Sequence, residues 1–179
     1  ALMPSVFAGL IGLGTAKLFG VHGEALSIAV VPEFTLVNAG KIVIVAILCA
    51  LVSALFCMVL HEVSKYCKKW IANAYLRIFL IGALVAGINI LLGTTDYMGA
   101  GMNVIERSLH GEVNPEAFLL KMLLTALTLG VGFKGGEIVP SFFVGATFGC
   151  LMGQIVGLSP SMCAAVGMIC VFCGVTNSP

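Results

Sequence analysis

Apolar runs, most of them about one bilayer thick, alternate along this chain with short breaks rich in glycine, proline and charge. Residues 2–19 form the first run, and Gly9, Gly12 and Gly14 give it a small-residue face suited to close helix contact. Residues 21–38 hold His22, Glu24, Pro32 and Glu33 and read as a linker that leaves the apolar core. The longest helix is predicted over 41–71. Its stretch 42–60 carries nothing more polar than Ser53 and Cys49, and beyond His61 and Glu62 it becomes amphipathic and basic, through Lys65, Lys68, Lys69 and Trp70. A further span is predicted over 74–92, with Arg77 near its start. The cluster from Lys65 to Arg77 therefore joins two spans, and the positive-inside rule puts that junction in the cytoplasm.

The second half is more broken. A Gly-rich break over 94–101 precedes a helix at 103–109 that is too short to span. After polar residues 110–115, a helix is predicted over 115–133, with Pro115 in its first turn, where the missing N–H costs little. Then Gly130, Gly132, Gly135 and Gly136 interrupt the apolar run, with Lys134 and Glu137 among them and Pro140 behind. A new helix is predicted over 141–158, carrying Gly145, Gly149, Gly153 and Gly157 at a strict four-residue spacing, a seam for tight contact. Pro160 opens a last apolar segment over 161–175.

Composition gives the pattern its solvent. Of 179 residues, 60% are hydrophobic and 9% charged, and mean hydropathy is +1.13. Soluble domains are roughly a quarter charged, so this chain lacks the polar groups to cover a globular surface. The predicted fold is an all-α polytopic transmembrane bundle with broken and short helices, a single transmembrane domain over 1–179. Apolar residues at both ends lead to the expectation of a fragment of a longer chain. A net charge of +1 offers no field for a nucleic-acid partner. The seven cysteines lie mostly in apolar runs without metal-ligand spacing and read as small core residues. His22, His61 and His110 sit beside polar breaks without partners at ligand spacing, so no metal or cofactor is implied.

The stretch GFKGGEIVP (132–140) carries the candidate chemistry. Irregular backbone at membrane depth persists only where protein buries it or where it lines a cavity. Glycines there permit unusual dihedrals and close approach. The helix that follows exposes its first N–H groups, which carry about half a positive charge and suit an anion. A surface helix–loop–helix turn is the alternative reading. The earlier break, MGAGMN (98–103), reads as an interfacial turn. Lys134 is expected to snorkel to the interface, and interfacial positions are also expected for Lys121 and Glu106. Asn103 either lines a cavity or caps the short helix.

GGEIVP followed by SFFVGATFGCLMG resembles the late selectivity-filter segment of the CLC chloride channels and chloride/proton exchangers, where a G-x-F-x-P element precedes a long glycine-striped helix. Element order resembles that family along the whole chain, while the specific motif is confined to 135–149. The resemblance implies transmembrane anion transport by a homodimer in the lipid bilayer, with a halide as partner. Anion contacts fall to Gly136, Glu137, Ile138, Val139 and Pro140: the amides of Glu137 and Ile138 as central donors, Gly136 and Pro140 as shapers of the turn. Ile138 stands where the family usually has phenylalanine, and Glu137 replaces an apolar residue. That acid resembles the family's bacterial fluoride/proton branch, which implies a bacterial cell membrane and makes Glu137 a proton-coupling candidate. The family's first filter loop and gating glutamate match no residue here.

An ionised Glu137 about 4 Å from an anion would repel it by roughly 4 kcal/mol at an effective dielectric of about 20. It must therefore be protonated when the anion is bound, turned away, or paired with Lys134. Chloride with fluoride, and channel with exchanger, remain open alternatives. A glycine-rich intramembrane enzyme is a competing class, but His61–Glu62 lacks the second histidine of HExxH, and no acid pair lies in an apolar run. A broken-helix carrier for another small solute is the third reading.

Overall fold

The computed structural model describes residues 2–20 and 35–177, and these hold seven α-helices. They are α1 (Leu2–Leu18), α2 (Leu36–Trp70), α3 (Ala74–Leu92), α4 (Met102–Leu109), α5 (Ala117–Gly130), α6 (Ile138–Val156) and α7 (Pro160–Thr176). No strand occurs among the described residues. Most of the predicted linker, with His22, Glu24, Pro32 and Glu33, lies outside them.

Three helices, α2, α3 and α6, are long and apolar enough to cross a membrane. At 1.5 Å per residue, the 35 residues of α2 run about 52 Å, well beyond the roughly 30 Å hydrocarbon layer. The helix begins five residues earlier than predicted, because the Thr35 side chain accepts the Asn38 amide and caps it. Asn73 caps α3 in the same way through the amides of Tyr75 and Leu76. Gly93 ends α3 in the left-handed conformation.

Lipid tails are as apolar as leucine, so close packing rather than the hydrophobic effect holds helices together in a bilayer. The tightest packing lies between α6 and α7. A Cβ on Gly149 would overlap the Cys163 carbonyl, one on Gly145 would overlap that of Gly167, and one on Gly153 would stand 2.8 Å from Pro160 Cα. Gly157, predicted as the fourth member of this seam, instead ends α6 with φ +67°. Two cores flank α6. One joins it to α2 and α7 through Val45, Phe56, Val144, Phe148 and Val171. The other joins it to α4 and α5 through Ile105, Leu109, Leu124, Phe143 and Ala146. Cys49, Cys150 and Cys163 are buried in these cores. By contrast, α1 packs on none of the other described helices, and Gly9, Gly12 and Gly14 meet nothing within 4 Å.

The glycine break is anchored at its start. Gly130 ends α5 against the Ser64 backbone of α2, where a Cβ would come within 3.1 Å of the Ser64 nitrogen. Arg77 donates to the Val131 and Ile71 carbonyls, both at 3.1 Å. A residue of the predicted basic junction thus ties the α2–α3 corner to the end of α5.

Candidate functional site

Helix α5 stops at Gly130, three residues short of the prediction. Pro115 and Glu116 form a turn before that helix rather than its first residues. Val131 and Gly132 then turn with φ +106° at Gly132, and residues 133–136 adopt no regular structure. Helix α6 begins at Ile138, ahead of Pro140 rather than behind it. Proline fits there because the first four amides of a helix have no intrahelical acceptor. The first hydrogen bond runs from the Ser141 amide to the Glu137 carbonyl at 3.0 Å. The buried Ser141 hydroxyl donates to the Ile138 carbonyl at 2.6 Å.

The amides of Gly136, Glu137, Ile138 and Val139 have no backbone acceptor among the described residues. Four consecutive free N–H groups, two before the helix and two in its first turn, form a donor array at the positive end of the α6 dipole. Gly136, Glu137, Ile138 and Val139 are all exposed, and Pro140 is half-buried. Glu137 is the residue before the first helical turn and makes no side-chain capping bond. Of the three alternatives for Glu137, pairing with Lys134 does not form: Lys134 is exposed, and the ion pairs among the described residues are Lys65–Glu62 and Arg107–Asp96.

Beside this array lies a cavity of about 520 Å³. Its walls are α3, the 94–101 turn, α5 and the break itself, contributing Asn89, Gly99, Lys121, Thr125, Gly135 and Gly136 among others. Glu137 is not among its lining residues.

Lys121 departs most from its predicted place. It is 3% exposed rather than interfacial. Its ammonium donates to the Gly99 carbonyl at 2.7 Å and the Tyr97 carbonyl at 3.0 Å, and sits 4.9 Å from the Phe143 ring centroid. The MGAGMN turn is thus held from within the bundle through its Gly99 carbonyl, while Met98, Gly99, Ala100 and Asn103 stay exposed. Gly101 in that turn precedes α4 with φ +71°. Asn103, expected to cap that helix or line a cavity, lies inside α4 on its exposed side. Asp96 Oδ2 accepts from Arg107 Nη2 at 2.6 Å, latching the turn to α4. That hydrogen bond holds the Arg107 guanidinium above its ordinary range. Glu106, His61 and His110 are exposed.

Comparison with known proteins agrees with this architecture. The family model for voltage gated chloride channels matches residues 1–179. A chloride/fluoride channel protein of Pseudomonas syringae pv. tomato is 32% identical over 185 residues, covering 100% of this chain and 41% of the relative. An uncharacterised protein of Methanocaldococcus jannaschii is 21% identical, covering 99% of this chain and 46% of the relative. The crystal structure of a CLC-type fluoride/proton antiporter superposes with a TM-score of 0.90 at 26% identity, covering 99% of this chain and 45% of that one. The chain therefore spans less than half the length of each of these relatives. With its whole length matched and its helix order shared, this multi-pass integral membrane chain belongs to the CLC family of voltage-gated chloride channels and their transporter relatives.

Proposed function

We propose that this chain supplies the late filter segment of a halide transporter that works as a homodimer in a bacterial cell membrane. The anion is chloride, or fluoride exchanged for protons. The observation that carries this reading is the run of unpartnered amides at Gly136, Glu137, Ile138 and Val139, with Pro140 placed where it removes no helical hydrogen bond. Hydrogen bonds to a charged acceptor contribute about 1.5–3 kcal/mol each. Two or three such amides therefore suffice to hold a partly dehydrated halide without a cationic side chain in contact.

Glu137 makes proton coupling part of the proposal. A carboxylate within about 4 Å of the anion lowers its occupancy roughly a thousandfold at an effective dielectric of about 20. Since Lys134 does not neutralise it, the carboxyl must take a proton or swing away as the anion arrives. Protonation ties proton uptake to anion binding. The fluoride branch is favoured over the chloride branch by this acid and by the antiporter neighbour.

The test is flux from liposomes holding the full-length protein, with fluoride and chloride compared and a pH-sensitive dye inside. Wild-type protein should move halide against protons, and Glu137→Gln should lose most of the proton movement while anion flux persists. Unchanged proton coupling together with unchanged anion selectivity in that variant would sink the role of Glu137. Absence of any wild-type halide flux would sink the transporter reading.

A further inference from the structure

A lysine normally reaches water or a carboxylate, and Lys121 does neither. It is 3% exposed, and the carboxylate partners among the described ion pairs belong to other cations. Its ammonium meets two carbonyls and the Phe143 ring. Burying an ammonium with only neutral partners is unfavourable unless another negative charge comes near. The ammonium lies on the wall of the cavity that Gly135 and Gly136 also line. The space between them is about 520 Å³, and a charge is felt across such a gap where water does not fully screen it.

Lys121 also braces the first turns of α6. Phe143, in the second turn of that helix, is fully buried. Lys121 lies over its ring, Tyr97 stands 6.3 Å from it, and a Cβ on Gly101 would come within 2.7 Å of its ring carbons. One ammonium therefore fixes the 94–101 turn by its carbonyls and the helix that presents the free amides by its aromatic ring.

We propose that Lys121 is a positioning residue whose positive charge, acting across the cavity, raises halide occupancy at the start of α6. This rests on the anion-transport reading above. The lysine does not touch the anion: it orients the helix that does and supplies a field that the neutral amides lack.

The experiment is the halide dependence of flux through the full-length protein in liposomes, with Lys121→Gln and Lys121→Arg. Glutamine keeps donors for the two carbonyls and removes the charge, whereas arginine keeps the charge. Lys121→Gln is expected to raise the half-saturating halide concentration about tenfold, the weight of one charge roughly 10 Å away at an effective dielectric near 20. Its maximal flux should change little, and Lys121→Arg should half-saturate near the wild-type concentration. Equal half-saturation in Lys121→Gln and wild type overturns the proposal, as does an arginine variant as weak as the glutamine one. If Lys121→Gln does not assemble, Lys121→Met is read by the same two outcomes. Failure of both neutral variants to fold, with arginine normal, makes the charge a folding requirement alone and also overturns it. Wild-type flux is measured first, so loss of the transporter reading is told apart from loss of this one.

Discussion

Glycine does two different jobs on either side of Pro140. In the seam between α6 and α7, every Cβ that Gly145, Gly149 or Gly153 lacks would fall on atoms of the facing helix. In the break, a Cβ on Gly132 or Gly136 would meet nothing within 4 Å. The seam glycines are small because a neighbour already occupies their space. Gly132 is a glycine because φ +106° suits no L side chain. Gly136 has neither excuse: its φ is ordinary and the space beside it is open. Packing explains the first group and backbone geometry explains Gly132. What Gly136 leaves free is approach to the backbone.

Substitution in the seam should have the largest effect. Gly149→Ala places a methyl on the Cys163 carbonyl, with Gly167 Cα at 3.1 Å on the other side. Both neighbours are backbone in a buried hairpin, so neither yields by rotating a side chain. Overpacked cores lose typically 1–3 kcal/mol, and this site should lose about 3 or more. Thermal unfolding of the purified full-length protein in detergent is the measurement, and an unchanged midpoint would mean that the seam opens without cost. Gly132→Ala should lose less, about 2 kcal/mol, because the strain is confined to one residue in a sparsely populated backbone region. The same melt should rank it between Gly149→Ala and wild type, and destabilisation equal to the seam variant would erase the distinction between seam and break.

The seam was legible because a four-residue repeat of glycine on a helix is a one-dimensional signal with one spatial meaning. Its last member, Gly157, fits the repeat equally well, yet it belongs to the helix end. Spacing alone does not separate a contact glycine from a C-cap. Pro140 misled in a related way: proline suits any position in a first turn, and its presence did not say which of those positions it holds. The start of α2 carried a usable signal in Thr35, three residues before Asn38. Lys121 carried almost none. Its partners are the carbonyls of Tyr97 and Gly99, more than 20 residues earlier, delivered by a turn whose path depends on α4 and α6. Charge in an apolar run reads as snorkelling until tertiary structure supplies an acceptor. The nearest hint was one lysine in an otherwise apolar helix, preceded by a Gly-rich turn.

Gly136→Ala sharpens the contrast most, because here stability and function should part. The added methyl enters open space at an ordinary φ, and alanine restricts the unfolded chain. Stability should hold or rise by less than about 1 kcal/mol. Anion binding should still weaken. Gly136 lines the cavity, and its amide has no backbone acceptor among the described residues. A methyl beside that amide keeps a halide at a greater distance, and losing one hydrogen bond to a charged acceptor costs about 1.5 kcal/mol, or roughly tenfold in affinity. Halide titration of the full-length variant, read beside its melting midpoint, decides the matter. A fall in midpoint like that of Gly149→Ala would make the break another packing seam. An unchanged midpoint with unchanged affinity would leave the open space at Gly136 without a role in anion binding. Only a stable protein that binds halide poorly fits a backbone kept bare for its ligand.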